Sequence, residues 1–388
     1  LVILLVLPLF ASADETADVY PYDVSMPAYW FKPAVAEYVP QSDAKALLLM
    51  EYSSGKVLFA LNENEKLPIA SVTKVMSALL VTEAIDDGRI TLEDTVTVSE
   101  NAASLGGSQI YLEPGEKMSV LDLLKSLVVS SANDATLALG EYVCGSEASF
   151  VSEMNKRASE LGCKNTNFVN TNGLPAEGHY SSALDVALIT RELMSHPMIF
   201  DFTGIWMDTI RNGSFGLSNT NKLIRFYNGA TGMKTGFTAE AGFCLSGTAK
   251  RDGMQLIAVV LGCSTSDNRF SAAKNLLDYG FANYCVVTPE PPATEPVKIL
   301  RGKNAVAELC ADRTEILAEK SARNRIESFV ELPESVKAPL SAGDEVGEVV
   351  YKIDGQEIAR ASVRVRDDQE EMTFFTLLGR IIETMFTG

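Results

Sequence analysis

Two sets of strand-like segments, one on each side of a helical block, limit the fold of this sequence more than any other feature. Apolar runs around the turn Ser53-Ser54-Gly55 predict a hairpin of residues 45–52 and 56–61. Later in the chain, residues 233–238, 242–250 and 254–261 predict neighbouring antiparallel strands. Because the apolar face of a sheet must be covered, we expect the intervening helices to pack on an antiparallel sheet.

The helical block shows apolar residues at the spacing of one helix face. This spacing occurs in Val72, Val75, Met76, Leu79 and Leu80, and Asp87-Gly88 ends the predicted helix. Residues 120–129 and 134–143 predict two further helices, and a helix around residues 272–279 follows the last strand. The predicted fold class is therefore mixed α/β.

A proline-rich segment predicts a boundary between two domains. Thr288-Pro289-Glu290-Pro291-Pro292 fits neither a helix nor a central strand. We therefore predict a larger domain at residues 41–288 and a small β-rich domain at residues 289–366. Short strand-like runs in the second domain occupy residues 297–300, 315–318, 345–353 and 358–365.

The two ends of the chain carry separate signals. Residues 1–13 combine a short apolar run with Ala11-Ser12-Ala13, which predicts the remainder of an export signal, truncated at its start, with a mature chain from Asp14. Residues 14–40 are rich in proline, tyrosine and acidic side chains and predict an extended arm. Residues 370–388 predict an amphipathic helix, whose apolar face contains Phe374, Phe375, Leu377, Leu378, Ile381, Ile382, Met385 and Phe386.

Composition excludes several classes of function. A net charge of −18 repels nucleic acid phosphates, so we expect no nucleic acid partner. The two histidines, His179 and His196, and six scattered cysteines show no metal-ligand spacing, so we expect no metal site. We expect no organic cofactor either. The cysteines form no dense disulfide framework, and most lie in apolar stretches, as expected of small buried hydrophobic residues.

The candidate nucleophile lies at the start of the first helix. In Ser71-Val72-Thr73-Lys74 the hydroxyl and the amine lie three residues apart, so they share one helix face. A lysine whose pKa is lowered by burial and by nearby cations can take the proton of a serine hydroxyl and so activate it. The alternative is a serine N-cap followed by a solvated lysine.

Two further motifs decide between these alternatives. Ser131-Ala132-Asn133 lies between two predicted helices, where a loop can project a hydroxyl and an amide into a cleft. Lys234-Thr235-Gly236 lies on a predicted strand, where the lysine can approach Lys74 and the glycine allows a close approach of substrate. Each motif is ordinary alone, but the three in this order form a known penicillin-recognising set.

With these motifs the chain resembles the low-molecular-mass penicillin-binding proteins that act as D-alanyl-D-alanine carboxypeptidases. The resemblance covers about residues 45–289 and extends to Leu67-Pro68-Ile69-Ala70, Asn172-Gly173-Leu174 and His179-Tyr180-Ser181-Ser182-Ala183. It implies the β-lactamase-like transpeptidase fold with a helical subdomain, followed by a small all-β domain and a C-terminal helix. In the family that helix holds the enzyme at the outer face of the cytoplasmic membrane.

The resemblance also implies a role for each motif residue. Ser71 is expected to be acylated by peptidoglycan stem peptides, with release of the terminal D-alanine, and by β-lactam antibiotics, while Lys74 takes its proton. Ser131 and Asn133 are expected to relay protons and hold the peptide. The substrate-binding positions are expected to be Lys234, Thr235 and Gly236, the backbone N–H of Phe237 in the oxyanion hole with that of Ser71, and Arg269 near the terminal carboxylate.

Two other functions remain open at this point. A serine β-lactamase uses the same motifs, but the sequence after Ser131-Ala132-Asn133 shows no sign of the glutamate that deacylates class A enzymes. A non-catalytic wall-binding protein is disfavoured because Ser71, Lys74, Ser131 and Lys234 are all present. The C-terminal helix lacks a lysine-rich polar face, so packing against the protein is its alternative to membrane attachment.

Overall fold

A computed structural model describes residues 41–374, 377–379 and 385 of the chain. Its helices are α1 (Lys74–Asp86), α2 (Glu100–Ala103), α3 (Val120–Val129), α4 (Asn133–Cys144), α5 (Glu147–Glu160), α6 (Ala183–Met194), α7 (Phe200–Thr203), α8 (Leu223–Phe226) and α9 (Ser266–Asn283). Short 3-10 turns occupy Ala70–Thr73, Pro197–Ile199 and Arg323–Arg325.

The strands fall into a first group within residues 46–263 and a second group that starts at residue 284. The first group is β1 (Ala46–Glu51), β2 (Val57–Leu61), β3 (Thr95–Thr97), β4 (Lys117–Ser119), β5 (Met207–Ile210), β6 (Phe215–Ser218), β7 (Ala230–Thr238), β8 (Gly242–Arg251) and β9 (Met254–Cys263). The second group is β10 (Tyr284–Val287), β11 (Val297–Leu300), β12 (Val306–Ala307), β13 (Leu309–Ala311), β14 (Ile316–Glu319), β15 (Ile326–Glu331), β16 (Ser335–Lys337), β17 (Glu345–Ile353) and β18 (Gln356–Val365).

The two predicted sets of strands meet in one five-stranded antiparallel sheet. Its order is β2-β1-β9-β8-β7, so β1, from the start of the domain, pairs with β9, from its end. All six residues of β1 are buried because both faces of this strand are covered, which explains its continuous apolar sequence. β7 lies at the open edge of the sheet, where a substrate can reach its backbone.

Side chains of the central strands alternate between two hydrophobic cores. Leu48 and Met50 of β1 pack with α1, α3, α4 and α6 on one face, whereas Leu47 and Leu49 pack with α9 on the other. The fold is therefore mixed α/β, as predicted. Two of the cysteines, Cys244 and Cys263, are buried in these cores, whereas three are partly buried and Cys310 is exposed.

The first predicted helix differs from the observed one at its beginning. The segment Ala70–Thr73 forms a 3-10 turn, and the α-helix starts only at Lys74. Ala70 has a left-handed backbone (φ +48°), which reverses the chain just before the turn. In a 3-10 turn the side chains of residues i and i+3 are eclipsed, which aligns Ser71 with Lys74.

Beyond residue 288 the chain forms small sheets around a third core, and their strands pair antiparallel except for β11 and β16, which are parallel. Residues 288–296 have no helix or strand, and the sheets β12-β11-β16 and β13-β18-β17-β15 follow. β10, which precedes the prolines, pairs with β14, which lies beyond them. The all-β character of this part is as predicted, and the limits of the two domains stay predictions.

The remaining predictions fall mostly on residues that the structure does not describe. The predicted export signal and the extended arm, at residues 1–13 and 14–40, lie outside the described residues. Of the predicted C-terminal helix, residues 374, 377–379 and 385 are described as helical. Within the described part of the chain, no helix combines the length and the apolar character that crossing a bilayer requires.

Candidate active site

The hydroxyl of Ser71 and the amine of Lys74 are in direct contact. Lys74 Nζ lies 3.0 Å from Ser71 Oγ, across the 3-10 turn. Ser71 is partly exposed, whereas Lys74 is fully buried at the start of α1. The nucleophile candidate is thus accessible, and the candidate base lies beneath it.

Two oxygen acceptors fix the position of the Lys74 amine. Its Nζ lies 2.7 Å from Asn133 Oδ1 and 2.8 Å from the backbone carbonyl of Asn172. The amide of Asn133 is oriented by its other end, because Nδ2 donates to the carbonyl of Gly106 over 2.7 Å. The sequence predicted the part of Asn133 in the site, but not that of the Asn172 carbonyl.

The loop between α3 and α4 carries Ser131 into the same region. Ser131 is 4% exposed and has a left-handed backbone (φ +64°), an unusual conformation for a residue other than glycine. The backbone N–H of Asn133 donates to the carbonyl of Ser108 over 2.7 Å. The loop is therefore tied to residues 106–108 at the position where α4 begins.

The edge strand β7 supplies the third motif. A Cβ atom on Gly236 would lie 2.7 Å from the carbonyl of Ile69 and 3.0 Å from the backbone nitrogen of Ser71, so only glycine allows this approach. Thr235 donates from Oγ1 to the hydroxyl of Thr220 over 2.7 Å. Thr220 was not predicted, and its place in the ordinary segment Asn219-Thr220-Asn221 gave no signal.

Lys234 and Lys74 border the same small cavity. Its volume is about 10 Å³, which is near the minimum for one water molecule. Lys234 is 4% exposed, and its Nζ donates to the carbonyl of Thr235 over 3.0 Å. The structure thus brings the two lysines together, as the motif predicted.

Arg269 lies behind β7. Its Nη1 donates to the carbonyls of Gly236 and Cys244 over 3.0 and 3.1 Å, and the side chain is buried. The guanidinium also faces the ring of Phe243, which stacks on Phe237 with 4.2 Å between ring centres. Arg269 therefore holds the backbone at Gly236, and direct contact of Arg269 with a substrate carboxylate stays a prediction.

Burial of three cations shapes the electrostatics of the site. Burial and the charge of Lys234 lower the pKa of Lys74 well below its ordinary value, although Asp134 acts in the opposite direction. Burial and the charge of Arg269 lower the pKa of Lys234 to about 7. Burial likewise lowers the pKa of Arg269 to about 10, so this group stays charged at neutral pH.

The side chain of His179 contacts the 3-10 turn at Thr73. The backbone N–H of Val169 donates to His179 Nδ1 over 3.1 Å, so Nε2 carries the proton and donates to Thr73 Oγ1 over 2.8 Å. Burial lowers the pKa of His179 to about 4, which keeps the ring neutral. The resemblance contained His179 only as part of a motif, and no role was predicted for it.

One group among the described residues has the composition of a metal site. Ligand atoms of Glu83, Glu192 and His196 lie within 4.8 Å of one another. However, Arg157 forms ion pairs with Glu83 and Glu192 over 2.8 and 2.5 Å, and these account for both carboxylates. The group lies near the ends of α1 and α6, away from Ser71 at the opposite end of α1.

Comparison with known proteins identifies the family. The sequence profile of a family described as D-alanyl-D-alanine carboxypeptidase matches residues 33–265. The chain belongs to this family. A second profile, described as the C-terminal domain of penicillin-binding protein 5, matches residues 293–371. The predicted resemblance is thus confirmed, in both parts of the chain.

Individual members of the family match along most of their length. The D-alanyl-D-alanine carboxypeptidase DacF of Bacillus subtilis is 43% identical over 345 residues, which are 87% of this chain and 89% of that protein. The structure of penicillin-binding protein 5 from Haemophilus influenzae is 33% identical, has a TM-score of 0.77 and covers 86% of this chain and 99% of its own. Penicillin-binding protein D2 of Listeria monocytogenes, solved in an ampicillin-bound form, is 34% identical, with a TM-score of 0.58, and covers 63% of this chain and 100% of its own.

Proposed function

We propose that this protein is a serine-type D-Ala-D-Ala carboxypeptidase, which removes the terminal D-alanine of peptidoglycan stem peptides through an acyl-enzyme on Ser71. The observation that carries the proposal is the contact of Lys74 Nζ with Ser71 Oγ at 3.0 Å beneath an accessible hydroxyl. Membership of the carboxypeptidase family and the ampicillin-bound relative support the activity and covalent binding of β-lactams.

The hydrogen bonds of Lys74 explain how it acts as a base. A neutral amine has two N–H groups and one lone pair, and the oxygens of Asn133 and Asn172 are acceptors for the two N–H groups. The lone pair is then directed at Ser71 Oγ and can take its proton as Oγ attacks the carbonyl of the penultimate D-alanine. Burial and the charge of Lys234 lower the pKa of Lys74, which favours the neutral amine that this step requires.

The remaining groups stabilise charge in the acylation step. The backbone nitrogen of Ser71 lies close to Gly236, and Phe237 is the next residue of β7, so the backbone N–H groups of Ser71 and Phe237 would together receive the oxyanion. The hydroxyls of Thr235 and Thr220, which are hydrogen-bonded to each other, bind the terminal carboxylate of the substrate. Lys234 supplies positive charge beside them. Ser131 relays a proton to the departing D-alanine amine, and water then hydrolyses the ester.

The test of this proposal is the intact mass of the protein during incubation with benzylpenicillin. We expect a one-to-one adduct that persists for minutes, no adduct with Ser71→Ala, and release of D-alanine from a stem pentapeptide by the parent protein. Rapid hydrolysis of the drug without a lasting adduct would indicate a β-lactamase. Neither adduct nor hydrolysis would favour a non-catalytic wall-binding protein.

We also propose that the protein acts outside the cytoplasm, at the outer face of the cytoplasmic membrane. Support comes from the export-like pattern of residues 1–13 and from the apolar face predicted for residues 370–388. A chain that ends at residue 370 is expected to leave the membrane fraction while its acylation by benzylpenicillin is unchanged. Equal membrane association of the full and shortened chains would rule out the C-terminal helix as the anchor.

A further inference from the structure

Tyr111 combines an exposed ring with an unfavourable backbone conformation. Its side chain is 68% exposed, and its φ of +56° lies in the left-handed region that glycine adopts without steric cost. Such conformations persist where neighbouring groups impose them, and they are frequent at ligand-binding sites. The exposed ring of Tyr111 is therefore a candidate for contact with a ligand.

The backbone on both sides of Tyr111 is held by charged groups. The buried carboxylate of Asp134 accepts the N–H groups of Ile110 and Leu112, each over 3.1 Å. From the other side, Arg211 donates to the carbonyls of Ile110 and Tyr111 over 2.7 and 3.3 Å. Glu116 in turn fixes Arg211 through an ion pair of 2.8 Å. The strained conformation is thus imposed from two directions.

Residues 106–112, the segment that contains Tyr111, are hydrogen-bonded to the proposed active site. Asp134 directly follows Asn133, whose backbone N–H donates to Ser108 and whose side chain donates to Gly106. Tyr111 comes three positions after Ser108, so the α carbons of these two residues lie within about 11 Å of each other. The ring of Tyr111 also meets the edge of Phe215, with 6.3 Å between ring centres. It is therefore a supported aromatic surface close to Asn133.

We propose that the ring of Tyr111, supported by Phe215, binds the part of the stem peptide that precedes the D-alanyl pair. This inference rests on the proposed function. A D-Ala-D-Ala dipeptide has no residue before its D-alanyl pair, whereas a stem pentapeptide has three, which span about 10 Å when extended, so only the longer chain can contact a surface near Asn133. An aromatic ring suits the aliphatic groups of such a peptide. Tyr111 would then set the preference for long over short substrates.

The experiment compares two substrates in matched variants. Tyr111→Gly removes the ring and relieves the backbone strain, so the protein stays folded, whereas Tyr111→Phe keeps the ring. Asp252→Gly is the control, because Asp252 is an exposed residue of the β8–β9 turn with a similar φ of +49°. KM and kcat are measured with a stem pentapeptide and with N-acetyl-D-Ala-D-Ala, and acylation is measured with benzylpenicillin.

We expect Tyr111→Gly to raise KM for the pentapeptide about tenfold, with kcat changed less than twofold. Hydrolysis of the dipeptide and acylation by benzylpenicillin are expected to be unchanged, and Tyr111→Phe and Asp252→Gly should behave like the parent. Equal pentapeptide KM values for an active parent and Tyr111→Gly overturn this inference alone. A loss that appears only when the pentapeptide carries its disaccharide also overturns it, because the ring then contacts sugar. A parent that cleaves neither substrate overturns the proposed function together with this inference.

Discussion

Lys74 and Lys234 are both buried, but their surroundings suit different tasks. Lys74 has three oxygen neighbours within 3.0 Å, which fix its amine beside Ser71. The amine of Lys234 donates to the carbonyl of its neighbour Thr235, and Arg269 adds a second positive charge nearby. A buried cation in that position is costly until an anion arrives. We therefore interpret Lys234 as a group whose free energy cost in the free enzyme is recovered when a substrate carboxylate binds.

Replacement of Lys234 should accordingly stabilise the protein while it abolishes acylation. The folded pKa of about 7 lies below the unfolded value near 10.5, so the cost of the charged lysine is fully present below pH 7 and disappears as the pH rises towards 10.5. We expect Lys234→Met to raise the free energy of unfolding by about 3 kcal/mol at pH 6 and by progressively less between pH 7 and 10. Urea unfolding at pH 6, 8 and 10 measures this difference.

The control for this prediction is Lys250→Met, at an exposed position of the neighbouring strand β8. It should change the free energy of unfolding by less than about 0.5 kcal/mol at every pH. A destabilised Lys234→Met protein at pH 6 would contradict our interpretation of Lys234 as a buried, costly cation.

At the scale of elements, the sequence predicts those whose signals are local. The helix predicted at residues 120–129 has the observed limits, because Ser119 caps it and its apolar spacing is regular. The strands β1, β2, β8 and β9 are predicted within two residues of their ends, since apolar runs and turn residues define them. By contrast, α9 starts at Ser266, six residues before its predicted beginning, because its polar first turn hides its apolar spacing.

In the candidate site, the sequence predicts the side chains but not the backbone groups that contact them. Ser71, Lys74, Asn133 and Gly236 could be found because side-chain type and spacing identify them. The Asn172 carbonyl, in contrast, is a backbone group that every residue has, and only the tertiary structure places it 2.8 Å from Lys74 Nζ. The 3-10 turn at Ala70–Thr73 likewise depends on tertiary contacts. It packs so closely on Gly173 that a Cβ atom at residue 173 would overlap the carbonyl oxygen of Ala70.

At the scale of the whole molecule, the proline-rich segment separates two sequence regions without separating their cores. β14 lies beyond the prolines, yet it pairs with β10 before them, and its residue Leu317 is buried in the core that α9 covers. Ile316, the preceding residue, instead belongs to the core of the small β-rich part. Because adjacent strand residues point to opposite faces, one short strand contributes to both cores.

Leu317 should therefore contribute to the stability of the peptidase part although it lies in the other part of the sequence. We expect Leu317→Ala to cost about 2–4 kcal/mol and to lower the melting temperature of the peptidase transition by roughly 5–10 °C. Calorimetry with and without benzylpenicillin identifies that transition, since the acylated site stabilises it. Leu309→Ala, in the core of the small part, should lower the other transition instead. If Leu317→Ala lowered only that other transition, β14 would belong to the small part alone, and the two parts would be independent in stability as well as in sequence.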